Sequence, residues 1–341
     1  GRNIVLVTSH GRWVFIRTFC LDDQTFRDGI VFRTPKKLSL PRLFPAGKML
    51  WIVGEKGRVT ALCLDPPTIR YWYDFSTFAA EDEVIEDTLI FPDERLLWLQ
   101  KRNTREYDEI IEVIRWDRGQ TIRRINWSTT LFPINYGGRF EVAMADSHQR
   151  TVRICSEKGR TVKTIAFEET WIMDGVLPHP NGVDYVLLTH ENPDFHDPIT
   201  DISKDCDESD DAALTVQAKP NLDKKIAPLV IHGSDGEFQN AMAILHDAGI
   251  IFVYFMSYEG SDAGLLALKP SKRGFDLIYR VSVPKGLIIF SNEHSDGLVA
   301  MGPSPAGLKA VRLDHRPPSF EGMVDFKKDR YSFPSFDSIW D

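Results

Sequence analysis

The chain has 341 residues, 43% of them hydrophobic and 26% charged, with a formal net charge of −8 at pH 7. The stretch 191–211 alone holds nine Asp and Glu against the single base Lys204, so the remainder sums to neutral. This is globular composition with ample apolar material for a core, and a neutral body excludes the broad basic face that nucleic-acid binding requires.

In chain order, short runs rich in Val, Ile, Phe, Tyr and Trp are broken by Gly, Pro and Asp, and long amphipathic patterns are nearly absent. TSHGRWVFI (8–16) turns at His10, and FPAGKMLWIV (44–53) turns at Pro45. The alternating runs RVTALCLD (58–65) and IRYWYDF (69–75) come next. FPDERLLWLQ (91–100) turns at Pro92, and NYGGRFEVAM (135–144) turns at Tyr136. After TVRICSE (151–157) and TVKTIAF (161–167), HPNGVDYVLL (179–188) turns at Pro180. LHDAGIIFVYF (245–255) turns at Asp247 and EHSDGLVAM (293–301) at Ser295. Period-two patterning with β-branched and aromatic enrichment predicts strands throughout.

The seven turns are separated by 35, 47, 44, 44, 67 and 48 residues, and the long gap contains the acidic stretch. A unit of roughly 40–50 residues is a small antiparallel sheet that cannot bury both faces alone and must stack on its neighbours. The expected fold is therefore all-β: one β-propeller over 1–341 with seven four-stranded blades, six being the alternative. An acidic insertion loop occupies 190–214. The tail 325–341 is expected to add a strand to an end blade, anchored by Phe333, Phe336 and Trp340. Trp51, Trp98 and Tyr185 are expected at equivalent buried sites, five or six residues after their turn prolines.

On these turns and spacings the chain resembles a degenerate WD-repeat-like β-propeller. The resemblance is architectural. Trp116-Asp117 is a single Trp-Asp pair, Gly137-Gly138 a single glycine pair, and the repeated family signatures are not reproduced. It implies a scaffold that presents loops to partners.

VDYVLLTH (183–190) should be the second strand of its unit, which places the acidic loop between strands two and three, on a loop-bearing rim. Asp194, Asp197, Asp201, Asp205, Asp207, Glu208, Asp210 and Asp211 are its candidate partner-binding residues. The corresponding loop one turn earlier than Tyr136, QKRNTREYDE (100–109), contributes Lys101, Arg102 and Arg105 to the same rim. Calcium would suit the oxygen ligands, but the spacing departs from the EF-hand loop: with Asp197 at position one, the obligatory glycine is Ile202. The bland alternative is a solvated insertion, since a segment so polar and charged cannot offset its ordering entropy.

Cys20, Cys63 and Cys155 lie in apolar runs and read as buried thiols, no Cys pair has zinc-ligand spacing, and Cys206 lies in the acidic stretch. No signal peptide is visible, and the apolar run 249–256 is too short to cross a bilayer. A cytoplasmic location is expected, and a first residue other than Met is read as a piece of a larger protein. No Walker, H-E-x-x-H or Rossmann pattern occurs, and the stretch 258–264 around Ser261 misses the nucleophile elbow. His10, His179, His246 and His294 sit at the repeated turns, a structural position in which the ring packs under the turn. No cofactor or metal is expected. The functional expectation is a non-catalytic protein–protein interaction platform, a module of a larger assembly, whose partner is a protein with a basic surface. The alternative is a metal-dependent hydrolase or small-molecule sensor that uses the central channel.

Overall fold

The computed structural model describes residues 3–27, 29–38, 42–46, 49–64, 67–106, 108–126, 130–136, 139–146, 151–166, 171–179, 184–191, 213–219, 229–232, 238–245, 249–257, 263–271, 274–290, 298–305 and 307–325. Among them there is no α-helix, and the strands form seven separate antiparallel sheets. The chain divides into two compact units, Arg2–Glu169 and Thr170–Asp341, the second also taking Gly1.

The first unit holds four sheets. The first is built from β1 (Asn3–His10), β2 (Trp13–Cys20), β3 (Thr25–Phe26) and β4 (Ile30–Arg33), and the second from β5 (Arg42–Ala46), β6 (Met49–Gly54), β7 (Arg58–Leu64) and β8 (Pro67–Asp74). The third takes β9 (Glu83–Phe91), β10 (Leu96–Asn103), β11 (Glu109–Arg115) and β12 (Gln120–Asn126), and the fourth β13 (Thr130–Tyr136), β14 (Arg139–Asp146), β15 (Thr151–Ser156) and β16 (Thr161–Ala166). In the second unit the fifth sheet is β17 (Trp171–Pro178), β18 (Tyr185–Glu191), β19 (Ala213–Lys219) and β20 (Leu229–His232). The sixth is β21 (Phe238–Leu245), β22 (Ile251–Ser257), β23 (Ala263–Ser271) and β24 (Gly274–Ser282), and the seventh β25 (Ile288–Phe290), β26 (Leu298–Ser304) and β27 (Gly307–Leu313).

Each of the seven turns expected from the sequence lies at the hairpin between the first two strands of a sheet. The closing pairs are His10↔Trp13, Ala46↔Met49, Phe91↔Leu96, Tyr136↔Arg139, Pro178↔Tyr185, Leu245↔Ile251 and Phe290↔Val299. The short first spacing also has a structural cause: β3 and β4 both pair with β2, so that sheet is only three strands wide.

Sheets stack face to face within each unit, and this explains why the second strands read as continuous apolar runs rather than alternating ones. In β10, Leu97 and Leu99 pack with Trp51 and Val53 of the second sheet, while Trp98 packs with Leu131, Val142 and Met144 of the fourth. Leu50 and Ile52 of the second sheet meet Val14 and Ile16 of the first. In the other unit Ile251 and Val253 face Val186 and Leu188 of the fifth sheet, and Phe252 and Tyr254 join Ile289 and Ala300 of the seventh. A strand covered on both sides needs apolar residues at every position. A fourth strand such as β12, mostly exposed, does not. A register shift recurs between third and fourth strands, at Ala61/Leu62, Val113/Ile114, Ile154/Cys155 and Ala267/Leu268. Such bulges strengthen the local twist.

Trp51, Trp98 and Tyr185 are all buried, but only two are equivalent. Trp51 and Trp98 each stand at the third pair from the hairpin, opposite Phe44 and Leu89. Tyr185 stands at the first pair, and Val186 and Leu188, not Tyr185, face the next sheet. Its offset of five residues rather than six from the turn proline accounts for this, because a one-residue change moves a strand side chain to the other face.

One close approach in the sixth sheet requires glycine. Gly264 pairs with Phe255, and a Cβ at that position would stand 2.2 Å from the Phe255 ring. Arg280 covers the same ring at 5.5 Å. Gly264→Ala is expected to cost about 1–3 kcal/mol by overpacking, read as a lowered urea midpoint. An unchanged midpoint would show that Phe255 is free to move.

Cys20, Cys63 and Cys155 are buried and form no disulfide. Among the described residues no helix is long and apolar enough to cross a membrane, which does not bear on membrane-spanning strands.

Candidate functional site

The acidic stretch joins the second and third strands of the fifth sheet. The ladder between β18 and β19 runs from Tyr185↔Lys219 to His190↔Leu214, so the chain leaves and re-enters one continuous hairpin. Asp194, Asp197, Asp201, Asp205, Asp207, Glu208, Asp210 and Asp211 lie outside the described residues, as does the tail beyond Asp325.

The corresponding hairpin of the third sheet joins β10 to β11, with Arg102↔Glu109 as its last pair. Asn103 organises the tip: its backbone N–H donates to Asp108 O at 2.8 Å, and its Oδ1 accepts from the backbone N–H groups of Arg105 and Glu106 at 2.8 and 3.1 Å. Arg105 is exposed there, as expected. Arg102 is half-buried, its Nε 2.5 Å from Glu86 Oε1.

Lys101 corrects the sequence expectation. It belongs to β10 rather than to a loop, and it is 4% exposed. Its Nζ lies 2.9 Å from Glu83 Oε2 and 3.2 Å from Glu112 Oε2, and donates to Phe78 O at 3.2 Å. Arg124 Nε donates to the other oxygen of the buried Glu112 at 2.5 Å. The buried Lys101 and Glu112 thus meet Glu83 at the border of the stack and the exposed Arg124 outside it, and the four charges neutralise one another. Lys101 is therefore not available to a partner. The strand continues past Gln100 because Lys101 finds its countercharges on β9 and β11, and a polar run in sequence carries no mark of that.

Burial disfavours charge on Glu83, but hydrogen bonds from Lys101 Nζ and the Ala80 backbone N–H outweigh it, and its pKa lies below the ordinary value. Gln100, also buried, donates to Glu109 Oε2 at 2.9 Å. The network is saturated with internal partners and offers ionic anchoring of the hairpin rather than reactive groups.

Trp116, of the single Trp-Asp pair, sits in the turn after β11. It packs on Trp51 and Tyr73 at ring-centroid distances of 5.5 and 5.2 Å. Asp117 pairs with Arg95 at 3.2 Å. His10 is exposed rather than tucked under its turn, and His179 is half-buried. Among the described residues no group of three or more His, Cys, Asp or Glu could hold a metal ion.

No family model matches the chain, and no curated protein matches it. Among solved structures it is similar to Kuenenia stuttgartiensis hydrazine synthase, with a TM-score of 0.55, 12% identity, and coverage of 89% of this chain and 93% of that one. That protein contains a β-propeller, and at this identity the likeness speaks for the fold alone: an all-β, propeller-like arrangement of antiparallel sheets.

Proposed function

We propose that this chain is a non-catalytic protein–protein interaction platform, a module of a larger assembly, built on one WD-repeat-like β-propeller with seven blades. The blade count is supported by seven repeated hairpins, each opening one sheet. The observation that carries the functional reading is the placement of the acidic stretch. It springs from the β18–β19 hairpin after the pair His190↔Leu214, so it can vary without disturbing a buried ladder. Loops of this kind carry function because the scaffold holds them while leaving them chemically free. Its carboxylates suit a basic protein surface. At the β10–β11 hairpin, Arg105 and the outer part of Arg102 are further partner-binding residues, while Lys101 holds the scaffold beneath them.

The test removes residues 194–212. The expected result is an unchanged thermal midpoint with loss of partner capture, and wild-type capture that weakens as salt rises, since exposed charges are screened over about 8–10 Å at physiological ionic strength. Capture that survives the deletion would refute the reading. A lowered midpoint would instead assign the stretch a packed structural role.

A further inference from the structure

The neutral sum of the remaining chain conceals a local surplus. The first fifty residues carry nine Lys and Arg against three Asp, opposite in sign to the acidic stretch. In the first sheet this surplus meets an exposed aromatic. His10, Trp13 and Arg33 form one cross-strand row on β1, β2 and β4, through the pairs His10↔Trp13 and Trp13↔Arg33. Directly opposed residues share a sheet face. Trp13 is 46% exposed, and the Arg33 guanidinium lies 5.8 Å from its ring centroid. In the next row on that face Phe15 stands opposite Val31, which is 40% exposed.

The corner is held rigidly. Arg12 Nε donates to Thr34 O at 3.0 Å, the Thr34 backbone N–H donates to Arg12 O at 2.8 Å, and the Thr34 hydroxyl donates to Lys36 O at 2.6 Å. Arg12 and Arg33 are both exposed, and among the described residues neither has a carboxylate partner. An arginine over an exposed indole, with a second exposed arginine in the adjoining turn, has the composition of an interface hot spot, in which Trp and Arg predominate.

We infer that the Arg12–Trp13–Arg33 corner binds an acidic polypeptide segment, and that its occupant is the acidic stretch 191–211 of a second copy of this chain. Charge complementarity selects it, because nine carboxylates and one amine in 21 residues answer the basic surplus, and Phe195 and Ile199 supply apolar side chains for the indole. The inference rests on the reading of that stretch as a recognition segment, and it names the surface recognised. A site on one copy and a segment on the other make a heterologous contact, which closes when two copies exchange segments and otherwise propagates into rings or chains.

The test has two arms. In sedimentation velocity at about 50 mM salt, the full chain should gain mass with concentration, and about 500 mM salt should dissolve the association. Arg33→Glu, or Arg12→Glu with Arg33→Glu, should leave it monomeric with an unchanged thermal midpoint. In the second arm a labelled peptide of residues 190–215 is titrated into the chain lacking 192–212. Saturable binding is expected, weakened roughly tenfold or more by Arg33→Glu and by Trp13→Ala. Peptide affinity indifferent to both substitutions would overturn the inference. So would a single-stranded oligonucleotide that binds where the peptide does not. A chain monomeric at low salt despite peptide binding would overturn the second copy as occupant. If the peptide fails while deletion of 194–212 still abolishes partner capture, this inference falls and the platform reading stands.

Discussion

Trp98→Ala is expected to lower the stability of the first unit by about 3–5 kcal/mol, among the largest effects of any single substitution in it. The side chain is fully buried between the third and fourth sheets, against Leu131, Val142 and Met144. Its Nε1 donates to Glu157 O at 2.7 Å, so truncation opens a cavity and also strands a carbonyl. Trp98→Phe retains most of the ring and loses the hydrogen bond, and should cost about 1–3 kcal/mol. Val162→Ala, at a side chain 49% exposed, serves as the control and should stay within about 0.5 kcal/mol. Urea midpoints for the three variants check the order. A Trp98→Ala midpoint equal to wild type would contradict the packing of the third sheet on the fourth.

The second large effect is at Lys101. Lys101→Met should cost about 3–5 kcal/mol, because Glu112 is then left buried with only one cation. That cation, Arg124, has a side chain 71% exposed, so its charge is shared with water. Replacing both Lys101 and Glu112 with Met should recover at least half of the loss, since apolar residues of similar volume commonly stand in for a buried pair. A double variant no more stable than the single would show that the ion pair itself, rather than the uncompensated charge, governs the cost. The same network carries an acid dependence. The pKa of Glu83 is lowered on folding from its ordinary value of 4.5. Its contribution is therefore complete above that value and is lost as the pH falls through the lower, folded-state pKa. Glu83→Gln should flatten the stability profile on the acid side of about pH 4.5 while leaving its shape near neutrality unchanged.

Strand identity was legible because turn residues punctuate the chain. Pro45, Pro92 and Pro180 and the polar turns between them stand before runs such as LLWL and IIFVYF, which are too short for helices and apolar at every position. Those runs are what a strand buried on both faces requires. The spacing exposed the units for the same physical reason: one small sheet cannot bury its own faces, so the pattern must recur. The acidic stretch was legible as an insertion because it breaks that spacing, and the β18–β19 ladder on either side of it is uninterrupted.

Other features had no local signature. Lys101 reads as one of a charged loop triplet with Arg102 and Arg105, yet only Arg105 is exposed at the hairpin tip. Its partners Glu83 and Glu112 lie on neighbouring strands, 18 residues before it and 11 after it, and nothing in the run QKRNTRE announces them. Tyr185 shares its turn motif with Trp51 and Trp98 but not their facing, because register is set by the length of the connection as well as by the proline. The Arg33–Trp13 contact is likewise invisible in sequence, the two residues being brought together across β2 and β4.

By itself, the sequence determined the kind of element, the number of repeated hairpins and the place where charge concentrates, since each follows from local turn chemistry and from the period of apolar residues along the chain. The tertiary structure decided which charges are buried, which face each aromatic presents and where cations meet an exposed indole. These depend on which strand lies alongside, and strand pairing joins residues whose separation along the chain leaves no trace in either one's immediate neighbours.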